Sequence, residues 1–323
     1  MEMLKFEKIL MIADLWKSIG GIRKIEIGAL EPLLWKDSNL DIVDLVSALT
    51  KHGFQVNLTT NGQLLYKFNS RLLDAGLNKL RISWHTTNPI LFKEISGGYG
   101  DYNLFFSSIV DSLKIGLKIS FNRLLLNGYL DDMQNQISFI QEYGSRLKLY
   151  TLMWTSENQD YYNQFFADWR PVIKNLKSVK KIERIQGGIG RSRLKFHLLN
   201  NSVIEVKLSE ILDRSKKPCN TCIFSDRCEE AFGDYIRIDP NLLLYFCYLR
   251  KDISFSFKDN FNIKQFEHFV DNHLGYESIK NIPLRLTISP FCNFNCRIPG
   301  RDKGWCMEYN SGYKYPKIKS TLL

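Results

Sequence analysis

In IRKIEIGALEPLLWKD, residues 22–37, a short apolar run of strand type gives way to a turn containing proline. The segments that follow repeat this change of pattern. IVDLVSALTKHG has the spacing of a helix and QVNLTT that of a strand; RLLDAGL, KLRISWH, FFSSIVDSLKIG, KISFNRLLL, QISFIQEYG and LKLYTLM continue the alternation as far as about residue 156. Strands separated by helices imply right-handed βαβ units, and hence a parallel α/β sheet, open or closed into a barrel, covered by helices. Gly53, Gly76 and Gly116 stand where such helices end, each just before the next strand, where a left-handed cap is needed. In folds of this class the chemistry sits at the carboxyl ends of the strands. The positions to watch are therefore 28–31, 59–62 and 83–85, then Asn122, Arg123, Met153 and Trp154.

A chain of 323 residues, 44% apolar and 13% aromatic, buries a sizeable core, and its length suits one large domain with a smaller module. No run approaches the roughly 18 apolar residues of a membrane helix, and MEMLKFEKILMIADLW mixes charges among apolar positions as an amphipathic helix does. A cytoplasmic protein without a signal peptide is the expectation. The formal charge of +10 favours an anionic partner such as a nucleotide, a phosphate or nucleic acid, although a lysine-rich solvated surface produces the same figure.

All seven cysteines fall in the last third. Their odd number and their clustering favour metal ligation over disulfides. Cys219, Cys222, Cys228 and Cys247 form a group of four, enough to close an iron–sulfur cluster or a structural zinc site. YIRIDPNLLLYFC reads as two short strands about Asp239-Pro240-Asn241, a hairpin that would return Cys247 to the other three. The second group, Cys292, Cys296 and Cys306, lies in LRLTISPFCNFNCRIPGRDKGWCMEYNSG, residues 284–312. Three thiolates on a cubane cluster leave one iron open for chemistry, whereas three cysteines on a loop also suit zinc.

IRKIEIGALEPLLWKD, VNLTTNGQLL, LNKLRISWHTTNPILFKEISGG and LKISFNRLLLNGYLDD together resemble, in order and spacing, the barrel of radical S-adenosylmethionine (SAM) enzymes, most nearly the molybdenum-cofactor cyclase branch. The resemblance covers most of residues 4–155. In that family a first strand and a CxxxCxxC loop precede this region, whereas here LRLTISPFCNFNC stands at the opposite end. The resemblance thus implies a partial parallel (β/α)6 barrel, circularly permuted so that its first strand and cluster loop come last. A tandem protein truncated after its second loop is the alternative. Residues 1–190 would form most of the barrel, 191–280 an auxiliary metal module of the SPASM or twitch kind with a following helix, and 281–323 the strand and loop that complete the barrel.

By the same resemblance, Cys292, Cys296 and Cys306 would hold a [4Fe–4S] cluster that binds SAM, whose reductive cleavage gives a 5′-deoxyadenosyl radical. Trp305 stands where the family has an aromatic residue. Gly28, Glu31, Thr60, Asn61, Ser83, Asn122 and Arg123 would contact SAM, and Arg237 parallels a substrate arginine. Cys219, Cys222, Cys228 and Cys247 would hold a second iron–sulfur cluster, or zinc. The chain departs from the family in having nine residues between its last two loop cysteines, GALEP for GGEP, and four auxiliary cysteines where the cyclase has three.

The five histidines form no motif; His85, just past the third strand end, is the one placed to face a pocket. Arg184 and Arg191, flanking GGIG, are candidates with Arg237 for an anionic substrate. The expectation is a radical SAM enzyme acting on a small anionic metabolite, a nucleotide or sugar phosphate, with flavodoxin or ferredoxin as reductant. A maturase of ribosomal peptides and a degenerate, zinc-stabilised binding barrel are the alternatives; nucleic acid is not indicated.

Overall fold

The computed structural model describes residues 2–28, 30–154, 158–186, 190–208, 212–215, 217–225, 228, 230, 235–247, 250, 252–257, 262–275 and 285–292. Cys296, Trp305 and Cys306 lie outside the described residues, and of Cys292 only the backbone is described.

Strand β1 (Glu2–Met3) and helix α1 (Phe6–Ser18) precede β2 (Lys24–Ile27), and β3 (Lys36–Asp37) with β4 (Leu40–Asp41) makes a small hairpin before α2 (Ile42–Lys51). Local chemistry sets the limits of α2. The Asp41 carboxylate accepts from the Val43 amide at 2.8 Å and Asp44 accepts from the Asp41 amide at 2.8 Å, a capping box that satisfies donors the helix itself leaves unpaired. Ile42, Leu45, Val46 and Leu49 recur at helical spacing and are buried, and Gly53, at φ 88°, turns the chain back into β5 (Gln55–Thr60).

The same unit repeats. Helix α3 (Asn69–Asp74) leads through Gly76 to β6 (Lys79–Ser83), α4 (Pro89–Ile95) and α5 (Tyr102–Lys114) lead through Gly116 to β7 (Ile119–Leu124), and α6 (Met133–Glu142) leads to β8 (Arg146–Tyr150). After α7 (Gln159–Phe165) and α8 (Arg170–Lys174) come β9 (Lys181–Gln186), β10 (Ser192–His197) and β11 (Val203–Leu208). The remaining described elements are β12 (Tyr235–Ile238), β13 (Leu243–Tyr245), β14 (Ser254–Ser256), α9 (Ile263–Leu274), β15 (Arg285–Ile288) and β16 (Phe291–Cys292).

Among the described residues, twelve strands form one sheet in the order β14-β13-β12-β15-β2-β5-β6-β7-β8-β11-β10-β9. The run from β12 to β11 is parallel throughout, and the pairs at the two edges are antiparallel. Strands β15 to β8 are the six expected parallel strands; β12 and β11 add one on either side. Strand β15, from the far end of the sequence, lies beside β2, with Leu286, Thr287 and Ile288 opposite Ile25, Glu26 and Ile27. Next to this, β1 pairs antiparallel with β16, setting Glu2 opposite Cys292 and Met3 opposite Phe291. The hairpin expected in YIRIDPNLLLYFC is present, with Arg237 opposite Tyr245, and it continues the large sheet.

Side chains alternate between the two faces of a strand, so each register defines two surfaces. Ile25, Ile27, Val56, Leu58, Leu80, Ile82, Leu147, Leu149, Leu286 and Ile288 occupy one face and are buried. They join apolar residues of α1, α2, α5, α6 and α9 in a single core. The opposite face carries Glu26, Asn57, Arg81, Lys148, Glu205, Arg237 and Arg285. Leu286 is fully buried, so Leu286→Ala should cost about 2–5 kcal/mol, measured as a shift of the whole denaturation transition. An unshifted transition would mean that β15 is not part of the core.

Candidate active site

Glu31 organises the carboxyl ends of β2 and β5. Its buried carboxylate accepts from the Leu33 amide at 3.0 Å, from Thr60 Oγ1 at 2.6 Å and from the Asn61 amide at 2.7 Å. Burial pushes the pKa of Glu31 up, against these three donors, which hold it down. Thr60 donates to Glu31 and has the orientation of Leu58, toward the core; it is a bracket for the strand end and does not face the polar side. Asn61 closes its own turn, its Oδ1 accepting from the Gln63 amide at 3.0 Å. Within GALEP, Leu30 has φ 50°, the left-handed region that favours glycine, so the turn is kept with a side chain where glycine would relax it.

Ser83 and Asn122 are direct neighbours in the register of β6 and β7 and lie on the polar face. Arg123 alternates to the other side. Its side chain is fully buried, donating to Asp132 Oδ1 at 2.5 Å, to the Tyr129 carbonyl at 2.8 Å and to Gln136 Oε1 at 3.2 Å. Asp132 also accepts from Thr86 Oγ1 at 2.6 Å and from the Thr87 amide, so this ion pair fastens the loops behind the strand ends. The expected contact of Arg123 with SAM is therefore not what the packing supports. His85 sits past Ser83 on the polar side, its Nδ1 accepting from the Leu124 amide at 3.1 Å. That bond puts any neutral-ring proton on Nε2, and burial followed by Arg123 holds the His85 pKa down at about 4.

Two features at the ends of β15 and β2 fit a bound ligand. Gly28 donates to the Ile288 carbonyl at 3.1 Å, and a Cβ added there would meet only Thr59 Cβ, at 3.7 Å. The Ser289 hydroxyl, on the next turn, is buried and has no hydrogen-bond partner among the described residues. Cys292 follows three residues later. A SAM molecule there would meet an open strand end and a waiting hydroxyl.

Farther down the polar face, charges gather in three groups. Glu26 pairs with Arg81 and with Arg285 at 2.9 Å, and accepts from Asn57 Nδ2 at 2.7 Å. Glu205 meets Arg193 at 3.1 Å, Arg146 at 3.4 Å and Lys148 at 4.0 Å. Glu230 meets Arg191 and Lys207, both at 2.5 Å. Tyr235 links the third group to the hairpin: its hydroxyl accepts from Arg191 at 3.4 Å, and Arg237 lies 4.3 Å from its ring centroid. Burial alone would raise the Tyr235 pKa, but Arg191 and Arg237 bring it down to about 8; burial and Arg193 bring Lys148 down to about 7. Arg191 and Arg237 are thus brought together through Tyr235. Arg184 is not, because it lies opposite Leu194 in the register and has the orientation of the apolar face; its Nη2 donates to Ser192 Oγ at 3.3 Å.

The four auxiliary cysteines are half-buried, and among the described residues no three metal-ligating side chains are gathered into a cage. Two carry a feature suited to thiolates all the same. Cys222 Sγ accepts from the Phe224 amide at 3.4 Å and Cys228 Sγ from the Glu230 amide at 3.3 Å, an arrangement that stabilises negative sulfur.

Residues 1–140 match the radical SAM superfamily. A probable GTP 3′,8-cyclase of Methanocaldococcus jannaschii is 30% identical over 239 residues, 72% of this chain and 74% of that protein. The chain belongs to the radical SAM superfamily. A probable GTP 3′,8-cyclase of Pyrococcus abyssi is 24% identical over 77% of this chain and 75% of its own length. The Streptococcus suis SuiB structure bound to SAM overlaps 50% of this chain and 39% of its own, at 17% identity and a TM-score of 0.40. As a member of the superfamily this radical SAM enzyme uses a [4Fe–4S] cluster and SAM. Among the described residues no helix is long and apolar enough to cross a membrane.

Sequence reading missed Glu26, Arg81, Arg285, Lys148, Glu205, Arg193, Tyr235 and Glu230. A signal was present: parallel strands buried on both faces read as continuous apolar runs, whereas these strands alternate. For the buried ion pair, Asp132→Ala leaves Arg123 charged and unpartnered by a carboxylate, and should cost about 3–5 kcal/mol in chemical denaturation.

Proposed function

We propose that this enzyme takes a hydrogen atom from a small anionic substrate held against the basic polar face of its sheet. The observation that carries the reading is the imbalance there: Glu26, Glu205 and Glu230 are shared among Arg81, Arg285, Arg146, Lys148, Arg193, Arg191 and Lys207, with Arg237 stacked on Tyr235. Each carboxylate keeps two or three cations in place, yet the surplus stays positive in a partly desolvated space where charge acts strongly. A nucleotide or sugar phosphate fits that charge, and a nucleotide is in keeping with the relatives named as GTP cyclases.

On this reading Cys292, Cys296 and Cys306 hold the cluster at the carboxyl ends of the strands, and Cys219, Cys222, Cys228 and Cys247 hold a second metal group. Bound there, the cluster and SAM supply a 5′-deoxyadenosyl radical. The chain's part is to bind and orient: Gly28 and Ser289 leave room and a donor beside the loop, Ser83, Asn122 and His85 line the next strand ends, and the arginines fix the anion. An electron must come from a reductant such as flavodoxin or ferredoxin, and a cytoplasmic enzyme would have access to either. We infer too that the chain is circularly permuted relative to its family, with residues 281–323 completing a barrel of 1–190. The parallel pairing of β15 with β2 and the pairing of β1 with β16 support this, since joined ends would leave the packed core unchanged.

Anaerobic reconstitution should give about eight irons per chain, and about four after Cys292, Cys296 and Cys306 are changed to Ala, as two cubane clusters require. Zinc alone, with no iron lost in the variant, would overturn the reading. Inorganic pyrophosphate should raise the melting temperature of the holoenzyme. Arg191→Gln and Arg237→Gln should each reduce that rise, and Arg184→Gln, on the other face, should leave it unchanged.

A further inference from the structure

The amino-terminal segment is fastened on both sides. On one side, the Leu4 amide donates to the Pro290 carbonyl at 2.9 Å, and Glu2 and Met3 pair with Cys292 and Phe291. On the other, the Trp35 indole Nε1 donates to the Leu4 carbonyl at 2.9 Å, the Phe6 amide donates to Asp37 Oδ2 at 2.8 Å, and Lys5 meets Asp37 at 3.1 Å. Leu4 and Trp35 are buried, at 3% and 0% exposure, so neither bond is exchanged readily for one with water. Trp35 in turn ends the short turn Pro32–Leu34, which Glu31 caps while holding Thr60 and Asn61. One unbroken chain of bonds therefore runs from Asn61 through Glu31, Trp35 and Leu4 to Pro290, two residues before the first loop cysteine.

We propose that Trp35 and Leu4 are positioning residues, a strap that sets the root of the cysteine loop against the Glu31 strand end and so fixes the cluster relative to SAM. The inference rests on the reading that Cys292 is a cluster ligand. The geometry requires the strap: β16 is only two residues long and its described strand partner is β1, also two residues long. Without an anchor on the far side, such a pair frays.

The test uses reconstituted full-length protein and follows iron release to a ferrous chelator, taking as the loop phase the one that Cys292→Ala abolishes. Trp35→Phe keeps the ring and removes the indole donor. Trp16→Phe is the control, since Trp16 is also buried and its Nε1 donates to the Ile22 carbonyl at 2.9 Å, outside the strap. Trp35→Phe should speed the loop phase about three- to tenfold, the factor expected from one hydrogen bond, and should alter the paramagnetic signal of the reduced cluster with SAM. Trp16→Phe should do neither, although both variants lower the melting temperature. Asp37→Ala, which loosens the strap from the surface, should act in the same direction as Trp35→Phe, and hydrogen exchange at the Leu4 amide should quicken in both. If Trp35→Phe fails to fold, Asp37→Ala decides the matter. Equal loop-phase rates in wild type and the strap variants, or equal acceleration by Trp16→Phe, would overturn the strap. A wild-type chain with no phase that Cys292→Ala abolishes would overturn the cluster reading itself, and the strap with it.

Discussion

The Glu31 carboxylate is the constraint on which the top of the sheet depends. Two strand ends and one turn converge on it: Leu33 and Asn61 through their amides, Thr60 through its hydroxyl. A buried carboxylate is tolerated only when it is hydrogen-bonded, and here two backbone amides and one hydroxyl supply the bonds, two to Oε1 and one to Oε2. The consequence is positional. Glu31 caps the turn that Trp35 ends, Trp35 donates to Leu4, and Leu4 donates to Pro290.

Below that level the problem is the opposite one, an excess of charge. Arginines and lysines packed in a partly desolvated interior repel one another, and each shared carboxylate offsets part of the repulsion while holding its cations in fixed directions. Glu26 shows the balance: burial raises its pKa, but the hydrogen bonds and charges of Arg81 and Arg285 outweigh that and hold it below the usual carboxylate range. Because Arg285 belongs to β15 and Glu26 to β2, the same contact also joins the two ends of the sequence.

Much of the fold was legible because apolar residues recur with a period of about two in strands and 3.6 in helices, whatever the tertiary context. The strand order from β2 to β8, the glycine-ended helices and the Asp239 hairpin all follow from local spacing. The place of β15 was legible only by resemblance, since no local property of LRLTI says that it lies beside KIEI. For the site, strand parity decided what inspection of strand ends could not. Thr60 and Arg123 are polar residues at strand ends and look like ligand contacts, yet each falls on the core side of the alternation, where it has a partner that holds the fold. Arg184 and Arg191 look equivalent in the sequence but differ in the same way. Charged residues at alternate positions also read as a solvated face. Only the parallel pairing of the sheet turns that face into a lining, and this is why the Glu26, Glu205 and Glu230 groups were not anticipated.

The lining is also not fixed in charge at neutral pH. Lys148, at about 7, and Tyr235, at about 8, both sit close to the point of losing a proton: burial and then Arg193 disfavour the ammonium, while Arg191 and Arg237 outweigh burial and favour the phenolate. An anion entering beside them reverses both pressures. It favours the protonated amine at Lys148 and the neutral phenol at Tyr235, so anion binding and proton uptake are linked. The cationic face would thus be at its most positive with an anion bound, and its self-repulsion would be partly relieved without one.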